Sequence, residues 1–222
     1  MTKQLLVTSV VAITGLLGSA IPSAHAVSFQ GVDFTSIGAA FDNGASYVFG
    51  YSFTVNAKNI TVDKLGYFDA EKDGLLTSHN VGIFRESDQS LVVSATIPSG
   101  TSLLTGFFQY VSVSPTVLIA GETYRIGGTQ LTGFDIYSLN NNDFTVNPAI
   151  TYNTDVYADG NGSTLIYPSI PNTAGVNNGF FGGNFTFTDS TPVPFEFSPA
   201  LGLGALGGLI ITKKLYGKLS KK

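Results

Sequence analysis

Apolar and polar positions alternate along much of this chain, most clearly from Tyr47 onward. Tyr47, Phe49, Tyr51, Phe53 and Val55 take every second place in residues 46–55, between Asn43-Gly44 and Asn56. A period of two predicts a strand with one apolar face. A second run over 60–68 ends in the polar loop Asp69-Ala70-Glu71-Lys72-Asp73-Gly74. Runs at 80–85 and 91–97 flank Glu86-Ser87-Asp88-Gln89 and predict a hairpin. Further strands are expected at 107–113, 117–118 and 123–126, with Ala120-Gly121-Glu122 as a turn, and a last one at 180–187. The asparagine-rich stretch 140–143, Asn161-Gly162 and 168–178 read as loops. The body shows no sustained 3.6-residue period, so the expected fold is all-β, a β-sandwich of jelly-roll type.

The two ends break this pattern. Residues 1–26 carry Lys3, an apolar stretch over 5–17 and Ala24-His25-Ala26. That order predicts a secretory signal peptide cut between Ala26 and Val27. At the other end Pro192, Pro194 and Pro199 mark an extended stretch, 191–199, which precedes an apolar run over 200–216. Lys213, Lys214, Lys218, Lys221 and Lys222 form a basic cluster there. The run is expected to be a transmembrane helix with its lysines cytoplasmic. Its apolar core would rise only about 22 Å against roughly 30 Å of hydrocarbon, so Lys213 and Lys214 must snorkel to extend it. Gly202, Gly204 and Gly207 match a dinucleotide-binding fingerprint in spacing, but Pro199 and a lysine-rich end replace the strand and acid that motif requires. Gly204 and Gly208 read better as small residues for close helix approach. The organisation expected is a signal peptide over 1–26, an ectodomain over 27–190, a proline-rich linker over 191–199, a membrane helix over 200–216 and a basic end over 217–222.

Two resemblances follow from these residues. Pro194-Phe195-Glu196-Phe197-Ser198-Pro199, the short Leu/Gly/Ala-rich run and the terminal lysines resemble the cyanobacterial form of the PEP-CTERM sorting signal. The resemblance implies export, recognition by a membrane-embedded exosortase, and cutting near the motif. Pro-Phe-Glu-Phe stands in place of Pro-Glu-Pro, so the cut position does not carry over. The middle of the chain resembles an exported bacterial β-sandwich domain of unassigned function. The residues concerned are Phe53-Thr54-Val55, Ile60-Thr61-Val62-Asp63-Lys64-Leu65-Gly66-Tyr67-Phe68-Asp69, Ser78-His79-Asn80-Val81-Gly82-Ile83-Phe84 and Gly121-Glu122-Thr123-Tyr124-Arg125-Ile126. That likeness implies a sandwich and brings no catalytic residues.

Charge and composition narrow the chemistry. The 27–190 body has five Lys and Arg against fourteen Asp and Glu, a net of −9. Such a surface repels nucleic acid. The chain has no cysteine, which excludes disulfides and thiolate metal sites. Beyond residue 26 the one histidine is His79, which would need Ser78 or a distant serine, with Asp69 or Asp73, to build a nucleophilic triad. Adjacent residues of a strand point to opposite faces, so Ser78 and His79 are not expected to pair. Asp69, Glu71 and Asp73 start like a calcium loop, but Asn80 replaces the twelfth-position acid. Asp155, Asp159 and Asn161 form a looser oxygen cluster, and Tyr137, Tyr152, Tyr157 and Tyr167 lie beside polar residues as a glycan surface would need. The expected function is a non-enzymatic, structural or glycan-binding component of extracellular polysaccharide, without a cofactor, at the membrane or released from the cell surface. The alternative is a glycan-active hydrolase using loop carboxylates.

Overall fold

The computed structural model describes residues 27–37, 39–41, 45–139, 143–160, 162–172 and 179–189. The expected signal peptide and its Ala26 cut site, the sorting motif, the membrane helix and the basic end therefore lie outside the described residues. Within them the chain is all-β and sandwich-like, with no helix.

Short strands β1 (Ser28–Gln30), β2 (Val32–Phe34) and β3 (Ala39–Phe41) precede the long β4 (Tyr47–Val55) and β5 (Ile60–Phe68). The hairpin β6 (His79–Arg85) and β7 (Leu91–Ile97) follows, then the hairpin β8 (Leu103–Thr105) and β9 (Phe108–Leu118). β10 (Thr123–Gln130), β11 (Tyr137–Leu139), β12 (Phe144–Val146), β13 (Ile150–Asp159), β14 (Ile170–Pro171) and β15 (Gly183–Asp189) complete the order. One sheet runs β1-β15-β5-β9-β8 and the other β14-β13-β4-β10-β6-β7, while the pairs β11-β3 and β12-β2 form two small ribbons. The chain changes sheet at most connections, so facing strands are distant in sequence and one core binds them. Tyr51 of β4 meets Phe181 and Phe53 meets Phe185, the latter two rings stacked 4.9 Å apart, with Phe187 beside Phe185.

The sequence reading places no strand at β1, β2, β3, β8, β11 or β12 and takes the stretch that holds β14 as a loop, and three further elements differ from it. β9 runs unbroken through Pro115. β8 pairs only with Phe108–Tyr110, and the register of β9 against β5 breaks between Ser112 and Thr116, so Pro115 lies in a bulge where it needs no donor. β13, ten residues long, lies in what reads as irregular sequence; the bulge at Asn153 shifts its register against β4 and breaks the alternation. The last strand begins at Gly183, not at 180.

A row of three glycines crosses the six-stranded sheet in register, Gly50, Gly127 and Gly82 on β4, β10 and β6. Residues 162–172 lie over that row as a strap. A Cβ on Gly82 would stand 2.7 Å from Leu165, and one on Gly127 would stand 3.4 Å from Pro168. Arg125 fastens the strap by donating to the carbonyls of Pro168 (2.8 Å) and Ser169 (3.0 Å) while pairing with Glu86 at 2.8 Å. The strap explains why Val48, Val156 and Phe84, on the face away from the main core, are buried.

Candidate functional site

The residues singled out for chemistry converge where the loop after β5 meets the turn after β10. Asp69 is buried at the head of that loop. Its Oδ1 accepts the Lys72 N–H (2.8 Å), and its Oδ2 accepts the Gly74 N–H (3.0 Å) and the Gln109 amide (2.7 Å). These bonds wind the loop into a tight turn with φ of 62° at Lys72 and 113° at Gly74, the second a conformation that suits glycine. Lys72 is held over the Phe107 ring, 3.7 Å from its centroid. Glu71 and Asp73 are left exposed.

The next residues are fixed by Asp135. Its carboxylate accepts the N–H groups of Leu76 (2.8 Å) and Thr77 (3.0 Å) and faces His79 Nε2 at 2.8 Å. Burial pushes the Asp135 carboxyl up, but His79 and the two amides outweigh it and hold it below the usual carboxylate range. His79 is 1 % exposed and lies parallel to Tyr67, with ring centroids 3.6 Å apart. Its Nδ1 sits 2.6 Å from the Thr129 carbonyl. Tyr67 donates to Gln130 Oε1 (2.5 Å), and the Gln130 amide donates to the carbonyls of Asp135 and Leu131. Burial first, then the Asp135 charge, raise the Tyr67 hydroxyl well above its ordinary pKa, so it stays a donor.

Above this network lies a pocket of about 270 Å³ lined by Glu71, Asp73, Leu76, Phe134, Asp135 and Ile136. Leu76 is 72 % and Phe134 49 % exposed, so an aliphatic chain and a flat ring stand beside carboxylate acceptors.

Asp69, Glu71 and Asp73 do come together, with one carboxylate oxygen from each within 4.8 Å of the others. Both Asp69 oxygens already accept N–H donors, which leaves two exposed acids where calcium takes six to eight oxygens. Asn80, at the twelfth position, faces elsewhere: its side chain bonds Thr96 (2.7 Å) and the Ser163 carbonyl (3.2 Å). The acid on His79 is Asp135, not Asp69 or Asp73, and Ser78 is exposed while His79 is buried. With an acceptor on each ring nitrogen, the imidazole has none left for a serine hydroxyl.

Two further sequence candidates take structural places. Asp155 is buried and accepts from Tyr152 and from the Gly179 N–H (2.9 Å), with the Asn172 amide at 3.5 Å, so it is closed to an outside ligand. Asn161 lies outside the described residues. The four tyrosines do not form a platform. Tyr137 packs on Phe49 (4.3 Å), Tyr152 on Phe144 (5.1 Å) and Tyr157 on Tyr47 (6.0 Å). Tyr167 packs on Phe84 and stands beside Arg125. Among the described residues the exposed aromatic rings are Phe29 and Phe134. Sequence reasoning passed over Phe134 and Asp135. The available signal was an aromatic placed between a glycine and an acid in an otherwise polar turn, and the structure puts Gly133 there at φ 79°. Set against known proteins, the chain matches no family model and no curated sequence.

Proposed function

We propose that this protein is an exported, non-enzymatic, jelly-roll-like β-sandwich that binds glycan as a structural or adhesive component of extracellular polysaccharide. The observation that carries the reading is the exposed Phe134 ring in a pocket whose exposed carboxylates are Glu71 and Asp73, the Asp135 oxygens being spent on Leu76, Thr77 and His79. A flat ring accommodates the C–H face of a sugar, and carboxylates accept from its hydroxyls. Absence of turnover fits the same place, because both nitrogens of His79 are spent on Thr129 and Asp135. Asp155, the carboxyl that burial pushes up to about 6, is sealed under Tyr152 and so has no path to a substrate.

The test is a glycan array probed with the full chain, followed by a reducing-sugar assay on each hit. Binding without sugar release, weakened at least tenfold by Phe134→Ala, is expected. Release of reducing ends that Glu71→Gln or Asp73→Asn abolishes would make the protein a hydrolase.

Export and sorting belong to the same proposal. The protein is delivered by the signal at 1–26, held by the run at 200–216 and handed to an exosortase-type enzyme at Pro194 to Pro199. Replacing Phe195 and Glu196 should leave export intact and make the uncut form accumulate in membranes. Asp at Leu206, where a central charge costs about 2.5–3.5 kcal/mol, should move uncut protein into the soluble fraction. Wild-type protein that keeps all five terminal lysines in a host with the enzyme would remove processing and leave only the anchor.

A further inference from the structure

A second groove, of about 300 Å³, opens where β1 and β2 meet β12. Strand register builds its wall. β2 and β12 run antiparallel with Asp33 opposite Thr145. Val32 and Phe34 enter the core, so alternation turns Asp33 outward between them. Gly31 fixes the junction. Its N–H donates to the Phe185 carbonyl and its own carbonyl accepts the Asn147 N–H, each at 3.0 Å, which holds Asn147 and Pro148 beside β1. Across the groove stands Phe29, 39 % exposed, its ring 6.1 Å from that of Phe187.

The polar groups here are only partly used. The Gln30 amide donates to Tyr110 Oη (3.2 Å) and the Thr105 carbonyl (3.5 Å), leaving its Oε1. Asp33 Oδ1 accepts the Phe34 N–H (2.9 Å), leaving Oδ2. Asn147 Oδ1 accepts the Ala149 N–H (3.0 Å), leaving its NH₂ to donate. Among the described residues these three leftover groups have no protein partner. Two acceptors, one donor and an exposed ring, all on side chains anchored from behind, are the means by which a protein holds a pyranose. The ring covers the C–H face, and each hydroxyl gives one hydrogen bond and takes another. A single carboxylate lines this groove, against three in the Phe134 pocket, so its chemistry suits an uncharged sugar chain.

We propose that the Phe29 groove is a second saccharide-binding site, for neutral hydroxyl-rich polysaccharide, and that with the Phe134 pocket it makes the protein a bivalent cross-linker of such chains. The proposal rests on the glycan-binding reading above. Bivalency changes what the protein does to a matrix. Once one site is engaged, a second repeat on the same or a neighbouring chain is presented at a raised effective concentration, so weak sites suffice.

The experiment uses the full chain in a polyoxyethylene detergent on surfaces carrying dextran, mixed-linkage β-glucan or xylan, with turbidity of the soluble polysaccharide as the cross-linking readout. The wild type should bind at least one of the three and raise turbidity. Phe29→Leu keeps an aliphatic contact with Phe187 and removes the ring. Phe29→Leu and Phe134→Ala should each weaken surface binding at least tenfold and abolish turbidity, and the double variant should not bind. Asn147→Asp keeps the acceptor for Ala149 but replaces the free donor, and should act like Phe29→Leu even if the latter is poorly folded. If Phe29→Leu and Asn147→Asp both bind and cross-link as wild type while Phe134→Ala loses both, the second site is overturned and the glycan reading stands. A wild type that binds none of the three, or a double variant that still binds, overturns both.

Discussion

His79 and Asp155 show how much a titratable residue's meaning depends on what closes over it. His79 gives one nitrogen to Thr129 and one to Asp135 and lies flat on Tyr67, so its role is to join β6 to the turn after β10. Asp135→Ala strands the Leu76 and Thr77 amides and one side of the ring, and should cost about 3 kcal/mol in urea unfolding. The Asp135 carboxyl is held below its usual range, so its contribution is present above the unfolded pKa and is lost as pH falls through the folded value. Asp155 behaves in the opposite sense. Burial raises it to about 6 despite its donors Tyr152, Gly179 and Asn172. The folded chain then keeps a proton that the unfolded chain has released at about pH 4. Its share of stability therefore falls as pH rises from about 4 through about 6, then levels. Denaturant midpoints measured across that range should lose this slope in Asp155→Asn; a variant with the wild-type slope would place the titration on another group. Asp69 allows a third test. Its oxygens are occupied, so millimolar calcium should leave the Tm unchanged, whereas a site filled at 100 times its Kd would add about 2.7 kcal/mol. A chelator-reversible rise in Tm, absent in Asp73→Ala, would contradict this.

The glycine row makes sense only from its neighbours on adjoining strands. Gly50, Gly127 and Gly82 each sit in a good strand sequence where a side chain would normally strengthen packing. Register aligns them across β4, β10 and β6, and the strap at 162–172 fills the shallow trough they leave. Gly50 and Gly82 differ in what opposes a methyl. At Gly50 a Cβ would lie 1.8 Å from the Ile126 carbonyl oxygen, which is backbone and cannot swing aside. At Gly82 it would meet the tips of Leu165 and Leu91, 2.7 and 2.8 Å away, which can rotate, and the fixed Val93 carbonyl oxygen only at 3.2 Å. Gly50→Ala should therefore cost about 3 kcal/mol or more, and Gly82→Ala closer to 1 kcal/mol. Equal losses in chemical denaturation would mean that the strap, not the strand backbone, limits the fit. Glu86→Gln removes the charge from the partner of Arg125 and should loosen the strap while sparing the core, seen as faster amide exchange in β14 with little change in β5.

For the molecule as a whole, the sequence by itself determined the all-β class and the positions of β4 to β7, β9, β10 and β15, but not those of the other eight of the fifteen strands among the described residues. The strand positions it marks match β4, β5 and the hairpin of β6 and β7, but the single apolar face it implies does not hold for β4 and β6, whose outer faces the strap buries as well. It also set out the acidic, cysteine-free composition that limits partner and metal chemistry. It could not mark β13, because a bulge at Asn153 breaks the period, nor could it find the break in β5–β9 pairing that lets Pro115 sit inside β9. The tertiary structure alone decided which acid meets His79. Asp69 and Asp73 are near it in sequence, but the path of β10 delivers Asp135 across 56 residues. It likewise decided which rings face water. Tyr137, Tyr152, Tyr157 and Tyr167 sit in polar sequence yet pack against other rings, while Phe29 and Phe134 remain exposed beside grooves. The physical reason is the same in each case. Alternation and charge are local properties that every strand carries with it, whereas burial and hydrogen-bond partnership depend on which distant strand arrives opposite. In a sandwich whose chain changes sheet at most connections, that neighbour is rarely close in sequence.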